Sequence, residues 1–229
     1  MKLRSGWIIL VGLACGLLSV SASAATITLD RAGWSNGYVQ DSIYGVRKVG
    51  VLAGEFRFNV TKQHDLELDM PGKDGEILAF CIDVKVNLRD RGAYSVAGIG
   101  ESGLEPEAQG LLGKLYDHHY AAIESEEDSA AFQLAVWEII YDWDADALKL
   151  KNPNRGDFHA SSFRGARAAS QEWLKDLAGK QASGAYALSV LDPVGPKANQ
   201  RLITAQRIPE ALGSAPQQVP EPTTLALLG

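Results

Sequence analysis

A chain of 229 residues with 46% hydrophobic and 22% charged residues has enough apolar material to bury one substantial core. Its net charge of −6 and pI near 5.3 exclude the basic footprint of a nucleic-acid binder.

Residues 1–24 read as a signal peptide. Lys2 and Arg4 precede an apolar run from Trp7 to Val20, and Ala22-Ser23-Ala24 offers an A-x-A cleavage site. The run is short for a spanning helix, which takes about 20 residues. Gly12 lies three residues before Cys15 where a lipoprotein signal usually has Leu, so lipidation is not expected. Cleavage after Ala24 removes two basic residues and moves the net charge from −6 to −8. It also removes Cys15 and leaves Cys81 alone in an oxidising compartment. An intramolecular disulfide is then impossible, and a leftover cysteine flags intermolecular pairing or special reactivity.

Residues 25–210 read as one domain, without internal repeats or a dividing linker. Val46 to Lys48 and Val51, punctuated by Gly50 and Gly54, begin the β-rich part. Glu55-Phe56-Arg57-Phe58-Asn59-Val60-Thr61 alternates polar and apolar residues, the mark of a half-buried strand. Pro71-Gly72-Lys73-Asp74-Gly75 predicts a turn. Ile77 to Ile82 is an apolar run suited to a central strand, and Gly92 to Val96 is a further strand candidate.

Helical periodicity follows. Ala108, Leu111, Leu112 and Leu115 form a stripe within Glu107–Tyr120. Ser125 and Asp128 match a capping box opening a helix to about Tyr141. Ala166, Ala169, Trp173 and Leu177 predict a third helix over Arg164–Leu177. The chain returns to β at Ala185–Leu191 and Leu202–Ala205. Strands, helices, then strands predict an α+β fold with a mainly antiparallel sheet or sandwich. A helical insertion separates Cys81 from Gln133, and one further helix precedes the last strands.

Residues 211–229 read as a proline-rich tether and sorting segment. Val219-Pro220-Glu221-Pro222, with the apolar residues to Gly229, resembles the start of the PEP-CTERM sorting signal of exported bacterial proteins. In that family a spanning helix and an arginine-rich tail follow. The apolar stretch here is too short to span a bilayer, so membrane contact is expected only transiently through this segment.

Gln133 stands out on the second helix. It shares a stripe with Val136, Trp137 and Ile140 at i, i+3, i+4 and i+7. A buried primary amide costs free energy unless its donors and acceptor are satisfied. One explanation is a core glutamine bonded to a strand backbone. The other is a carboxamide carbon attacked by a thiolate, with loss of ammonia, which requires close approach in a fixed geometry.

The stretch Phe80-Cys81-Ile82-Asp83, followed by Phe132-Gln133-Leu134-Ala135-Val136-Trp137-Glu138-Ile139, resembles the paired signature of bacterial thioester domains. Ala53-Gly54-Glu55-Phe56 and Leu111-Leu112-Gly113-Lys114-Leu115-Tyr116 extend the resemblance over about Val46 to Tyr141. It implies a Cys81–Gln133 thioester on an exported surface or matrix protein of adhesin type. The expected partner is a nucleophile at a surface or in extracellular matrix, either a protein lysine or a polysaccharide. Amine attack on the acyl carbon leaves an amide and releases Cys81, whereas water converts Gln133 to glutamate. Phe80, Phe132 and Trp137 are candidate pocket walls that exclude water. His118, His119 and Asp83 are candidates for a base or orienting group. For the histidines the competing reading is a surface position near a helix C-terminus, and for Asp83 a local backbone bond. Single-turnover capture is not enzymatic turnover, and no cofactor or metal is implied.

Two other readings compete. Five tryptophans and seven tyrosines suit a non-covalent carbohydrate or matrix-binding module with a free buried cysteine. A secreted hydrolase would draw on Asp83, Glu138 or Asp142, but no spacing singles out a carboxylate pair. Asp142-Trp143-Asp144-Ala145-Asp146 starts like a calcium loop, yet Ala147 and Pro153 replace its required glycine and glutamate.

Overall fold

A computed structural model describes residues 25–45, 49–64, 75–143, 157–160, 163–197 and 199–209. The signal segment, Val46–Lys48, residues 71–74 of the predicted turn, residues 144–156 with most of the calcium-like pattern, and the C-terminal segment lie outside the described residues.

Two antiparallel sheets and three helices make up the fold. The strands are β1 (Thr26–Trp34), β2 (Val39–Gly45), β3 (Val49–Ala53), β4 (Phe56–His64), β5 (Glu76–Cys81), β6 (Arg91–Gly98), β7 (Phe158–Ala160), β8 (Tyr186–Val194) and β9 (Leu202–Arg207). Six of them close a barrel in the order β1-β4-β5-β9-β8-β6, and β3-β2-β7 form a small second sheet. The α+β, mainly antiparallel class is as expected; a closed barrel stands where a sandwich was the alternative. Closure removes the unpaired edges that an open sheet exposes.

Closure depends on β1, a strand that sequence analysis did not assign. It pairs with β4 on one side and β6 on the other. Its Thr-Ile-Thr-Leu start is alternating, with Ile27 and Leu29 buried. The helices are α1 (Pro106–His119), α2 (Glu126–Asp142) and α3 (Arg164–Asp176). The Ser125–Asp128 capping box is present in both directions at the start of α2. Every residue from Ser129 to Ile139 is buried. A helix enclosed on all sides over this stretch is a core element rather than an amphipathic surface one, with its acidic first turn reaching solvent. It touches α1, α3, β2, β3, β5 and β7, so it links the small sheet to the barrel. Among the described residues no helix is long and apolar enough to cross a membrane.

The chain passes from the small sheet into the barrel at Gly54 and Glu55, between β3 and β4. A Cβ on Gly54 would lie 2.6 Å from the Gly37 carbonyl oxygen and 3.2 Å from the Trp34 ring. The backbone atom cannot yield as a side chain would, so the residue is held to glycine by space. Gly54→Ala is expected to destabilise the fold by about 1–3 kcal/mol, as overpacking does. Urea denaturation of the two proteins measures it, and an unchanged midpoint would contradict this account of the corner.

Candidate functional site

Cys81 ends β5, at the point where its two neighbouring strands cease to match. On one side β9 continues, with Cys81 opposite Leu202 and Ile82 N–H donating to Arg201 O at 3.1 Å. On the other side β4 pairs no further than Phe56 opposite Ala79. Alternation along the strand turns the N–H and C=O of Cys81 toward that vacated edge. Left there unpaired and buried, they would each cost a hydrogen bond.

Gln133 fills the gap. Cys81 N–H donates to Gln133 Oε1 at 3.0 Å, and Gln133 Nε2 donates to Cys81 O at 2.8 Å. The side-chain amide thus replaces the next residue of β4. Both residues are buried, Gln133 completely. Because both polar ends of the amide rest on one residue's main chain, its carbon lies beside Cys81. The thiol itself donates to Gln200 Oε1, while Gln200 Nε2 is tied to Asp83 O at 2.6 Å. Burial holds the thiol protonated well above the ordinary cysteine range, the Asp83 charge adds to this, and Arg31 opposes it.

Aromatic rings pack behind the pair. Phe80 and Phe132, each preceding one of the two residues, are fully buried with ring centroids 4.8 Å apart. Trp137 follows Gln133 by one turn and packs against Phe158, with ring centroids 5.8 Å apart. It lines a cavity of about 220 Å³ together with Cys81, Gln200, Arg31, Leu52 and Val84. Among the described residues lining this cavity, Arg31 is the only charged one.

Of the other candidate residues, the histidines lie away from the pair, whereas Asp83 lies close enough for its charge to act on the thiol. Neither histidine lines the cavity. His118 Nε2 meets Gln181 O at 2.9 Å on the surface. His119 stacks on Trp173 at 5.2 Å and lies 3.3 Å from Asp176, with burial lowering its pKa. Asp83 lies beyond the end of β5, and its carboxylate accepts Arg201 N–H at 3.0 Å, the backbone bond that competed with an orienting role. The carboxylate of Asp142 similarly accepts the N–H of Asp157 and of Phe158, anchoring β7. Among the described residues no group of three His, Cys, Asp or Glu could hold a metal ion.

Sequence reasoning overlooked two residues at the site, Gln200 and Arg31, and a third, Glu55, that supports it from beneath α2. Gln200 lies in a loop and has no local signal. Arg31 sits on the unassigned β1. Glu55 is the most unexpected, because the alternation that buries Phe56 and Phe58 predicts it outward beside Arg57. It is only 2% exposed, since the corner at Gly54 turns it beneath α2. Glu55 N–H donates to Ser129 Oγ at 2.7 Å, its C=O accepts Ser35 N–H at 2.9 Å, and its Oε1 accepts the Tyr120 hydroxyl at 2.6 Å. Burial pushes its carboxyl from 4.5 up to about 7, against the hydrogen bonds from Tyr120 and Ser35.

A carboxyl whose folded pKa is raised contributes stability that is complete below the unfolded value and is lost as pH rises through the folded one. For Glu55 that window runs from 4.5 to about 7, and the displacement corresponds to about 3 kcal/mol. Relative to Glu55→Gln, the native protein is expected to lose about that much stability across the window and then level off. Urea midpoints of both proteins against pH test this; parallel curves would refute it.

No family model and no curated protein matches the chain. Among solved structures, the chain is similar to the N-terminal domain of the Streptococcus pyogenes pilus tip adhesin Cpa. That match has 15% identity, covers 82% of this chain and 97% of the other, and has a TM-score of 0.47. It is also similar to the N-terminal thioester domain of a protein F2 like fibronectin-binding protein from Streptococcus pneumoniae, at 10% identity, 79% and 94% coverage and a TM-score of 0.45. A third similar structure is the N-terminal thioester domain of a Clostridium perfringens surface protein, at 12% identity, 80% and 99% coverage and a TM-score of 0.43.

Proposed function

We propose that Cys81 and Gln133 form an internal thioester, and that this exported protein uses it to capture an amine on a surface or matrix partner covalently. The observation that carries the reading is the seating of the Gln133 carboxamide on the main chain of Cys81. Rotation about the Cα–Cβ bond of Cys81 is the movement that takes its sulfur from Gln200 to the acyl carbon. The S–C bond forms, the C–N bond breaks, and ammonia leaves with the thiol proton. Burial keeps the thiol protonated, which lowers its nucleophilicity, so the thiol proton has to pass to the departing nitrogen as sulfur attacks, a transfer that creates no net charge in an apolar site. Cys81 N–H, already on Gln133 Oε1, is placed to stabilise the oxyanion of the tetrahedral intermediate.

Capture reverses the roles. A neutral amine attacks the acyl carbon, an amide forms, and the sulfur leaves with a proton from the amine. The cavity beside Cys81 is the approach path. It presents no carboxylate or imidazole among its described lining residues. A hydroxyl needs such a base far more than an unprotonated amine does, so amines, such as a protein lysine, are favoured over polysaccharide hydroxyls. The crosslink would also close a loop of 52 residues, which the chain-entropy model values at about 4 kcal/mol.

One observation favours the second reading, a non-covalent carbohydrate or matrix-binding module with a free buried cysteine. The hydrogen bonds of Gln133 already give it a sufficient structural role. Intact mass separates the two. The thioester requires the purified chain to be lighter by one ammonia, with methylamine added stoichiometrically at Gln133. Cys81→Ala should abolish both effects while preserving the fold. Methylamine uptake should follow the concentration of free base, not total amine. An unmodified mass together with a titratable thiol in the unfolded wild-type chain would reject the proposal.

A further inference from the structure

Glu55 touches neither Cys81 nor Gln133 in any hydrogen bond described above, yet it is joined to both by two short routes. The first runs through α2. Glu55 N–H is bonded to Ser129 Oγ, and Ser129 and Gln133 are four residues apart on one face of that helix. The helix is therefore pinned at successive turns, once to the start of β4 and once to the end of β5. The second route runs through Tyr120, whose hydroxyl is held by the Glu55 carboxyl. The Tyr120 ring packs 6.4 Å from Phe80 and 5.6 Å from Phe132, the residues immediately before Cys81 and Gln133.

We infer that Glu55 is a positioning residue whose protonation state sets how firmly α2, and with it Gln133, is held against Cys81. The groups acting on the carboxyl are hydroxyls, Tyr120 after α1 and Ser35 after β1, and the carboxyl in turn raises the titration of the neighbouring Tyr116 hydroxyl on α1. Ser129 of α2 meets its main chain. None of these is a cation. A proton lost from Glu55 therefore leaves a buried charge without a counter-ion, relieved only by moving the packed groups apart or admitting water. The raised pKa places this transition near neutral pH. Ionisation then loosens the α2–β5 contact and opens the proposed thioester to nucleophiles. The chemical half of the inference rests on the thioester reading, whereas the mechanical half does not.

The test separates the two halves. In Cys81→Ala, which cannot form a thioester, the Gln133 side-chain NH₂ and the residue-81 amide are followed by NMR from about pH 5.5 to 8.5. Both resonances are expected to titrate with a midpoint near 7, the pKa of Glu55. They should be flat when Glu55→Gln is added. Tyr120→Phe should move the midpoint upward, because its hydroxyl favours the ionised form. Flat resonances with Glu55 present, or a titration that survives Glu55→Gln, would overturn the inference. In the protein with Cys81 intact, methylamine cleavage at constant free base should rise about threefold with pH relative to Glu55→Gln, about half a power of ten in rate. A constant ratio would overturn the chemical half. Titrating resonances without any loss of ammonia would instead reject the thioester and leave Glu55 as a positioning residue.

Discussion

A strand pair that stops too early is the constraint from which the rest of the site follows. β4 and β5 separate beyond Phe56 and Ala79, and the polar main chain of Cys81 is left without a strand on that side. Burial forbids leaving those groups open. The Gln133 side chain is the group that satisfies them, donating and accepting as a peptide unit would. Hydrogen-bond satisfaction thus produces a second consequence. An amide carbon is brought beside a cysteine across 52 residues of chain.

The other structural features maintain that contact. Gly54 lets the chain leave one sheet and enter the other through a gap too narrow for a side chain. That turn ends the pairing of β4 with β5 and also brings Glu55 under α2. The helix is buried from Ser129 to Ile139 and cannot slide without disturbing both sheets. Phe80 and Phe132 fill the space behind the pair, and Gln200 holds the thiol from the β9 side. Low polarity keeps the thiol neutral, and the same low polarity raises the Glu55 carboxyl toward neutrality. One dry environment acts on both groups in the same sense because desolvation always disfavours the charged form.

The proposed chemistry needs little beyond this arrangement. A carbonyl polarised by a main-chain N–H, a thiol carrying the proton that the leaving group requires, and a cavity for the nucleophile are sufficient for one turnover. No residue has to cycle between acid and base forms. That agrees with a cavity lined by Arg31 and neutral side chains, and with histidines engaged at Gln181 and Trp173.

Local rules made much of the fold legible in the sequence. The capping box at Ser125, the stripe in α1 and the alternation through Phe56 and Phe58 each depend on neighbouring residues and need no tertiary knowledge. Gln133 and Cys81 were also conspicuous alone, one as an amide in an apolar stripe and the other as the cysteine left after signal removal. The barrel was not legible, because closure depends on β1 meeting both β4 and β6, and pairing partners far apart in sequence leave no local mark. The sequence by itself therefore determined the three helices, the strands other than β1, β2 and β7, and which side chains were chemically out of place. Only the tertiary structure decided that Glu55 is buried, that Asp83 and the histidines are engaged elsewhere, and that Gln133 rests on Cys81. Burial and hydrogen-bond partnership are properties of the packed whole, and periodicity records only the average face of an element.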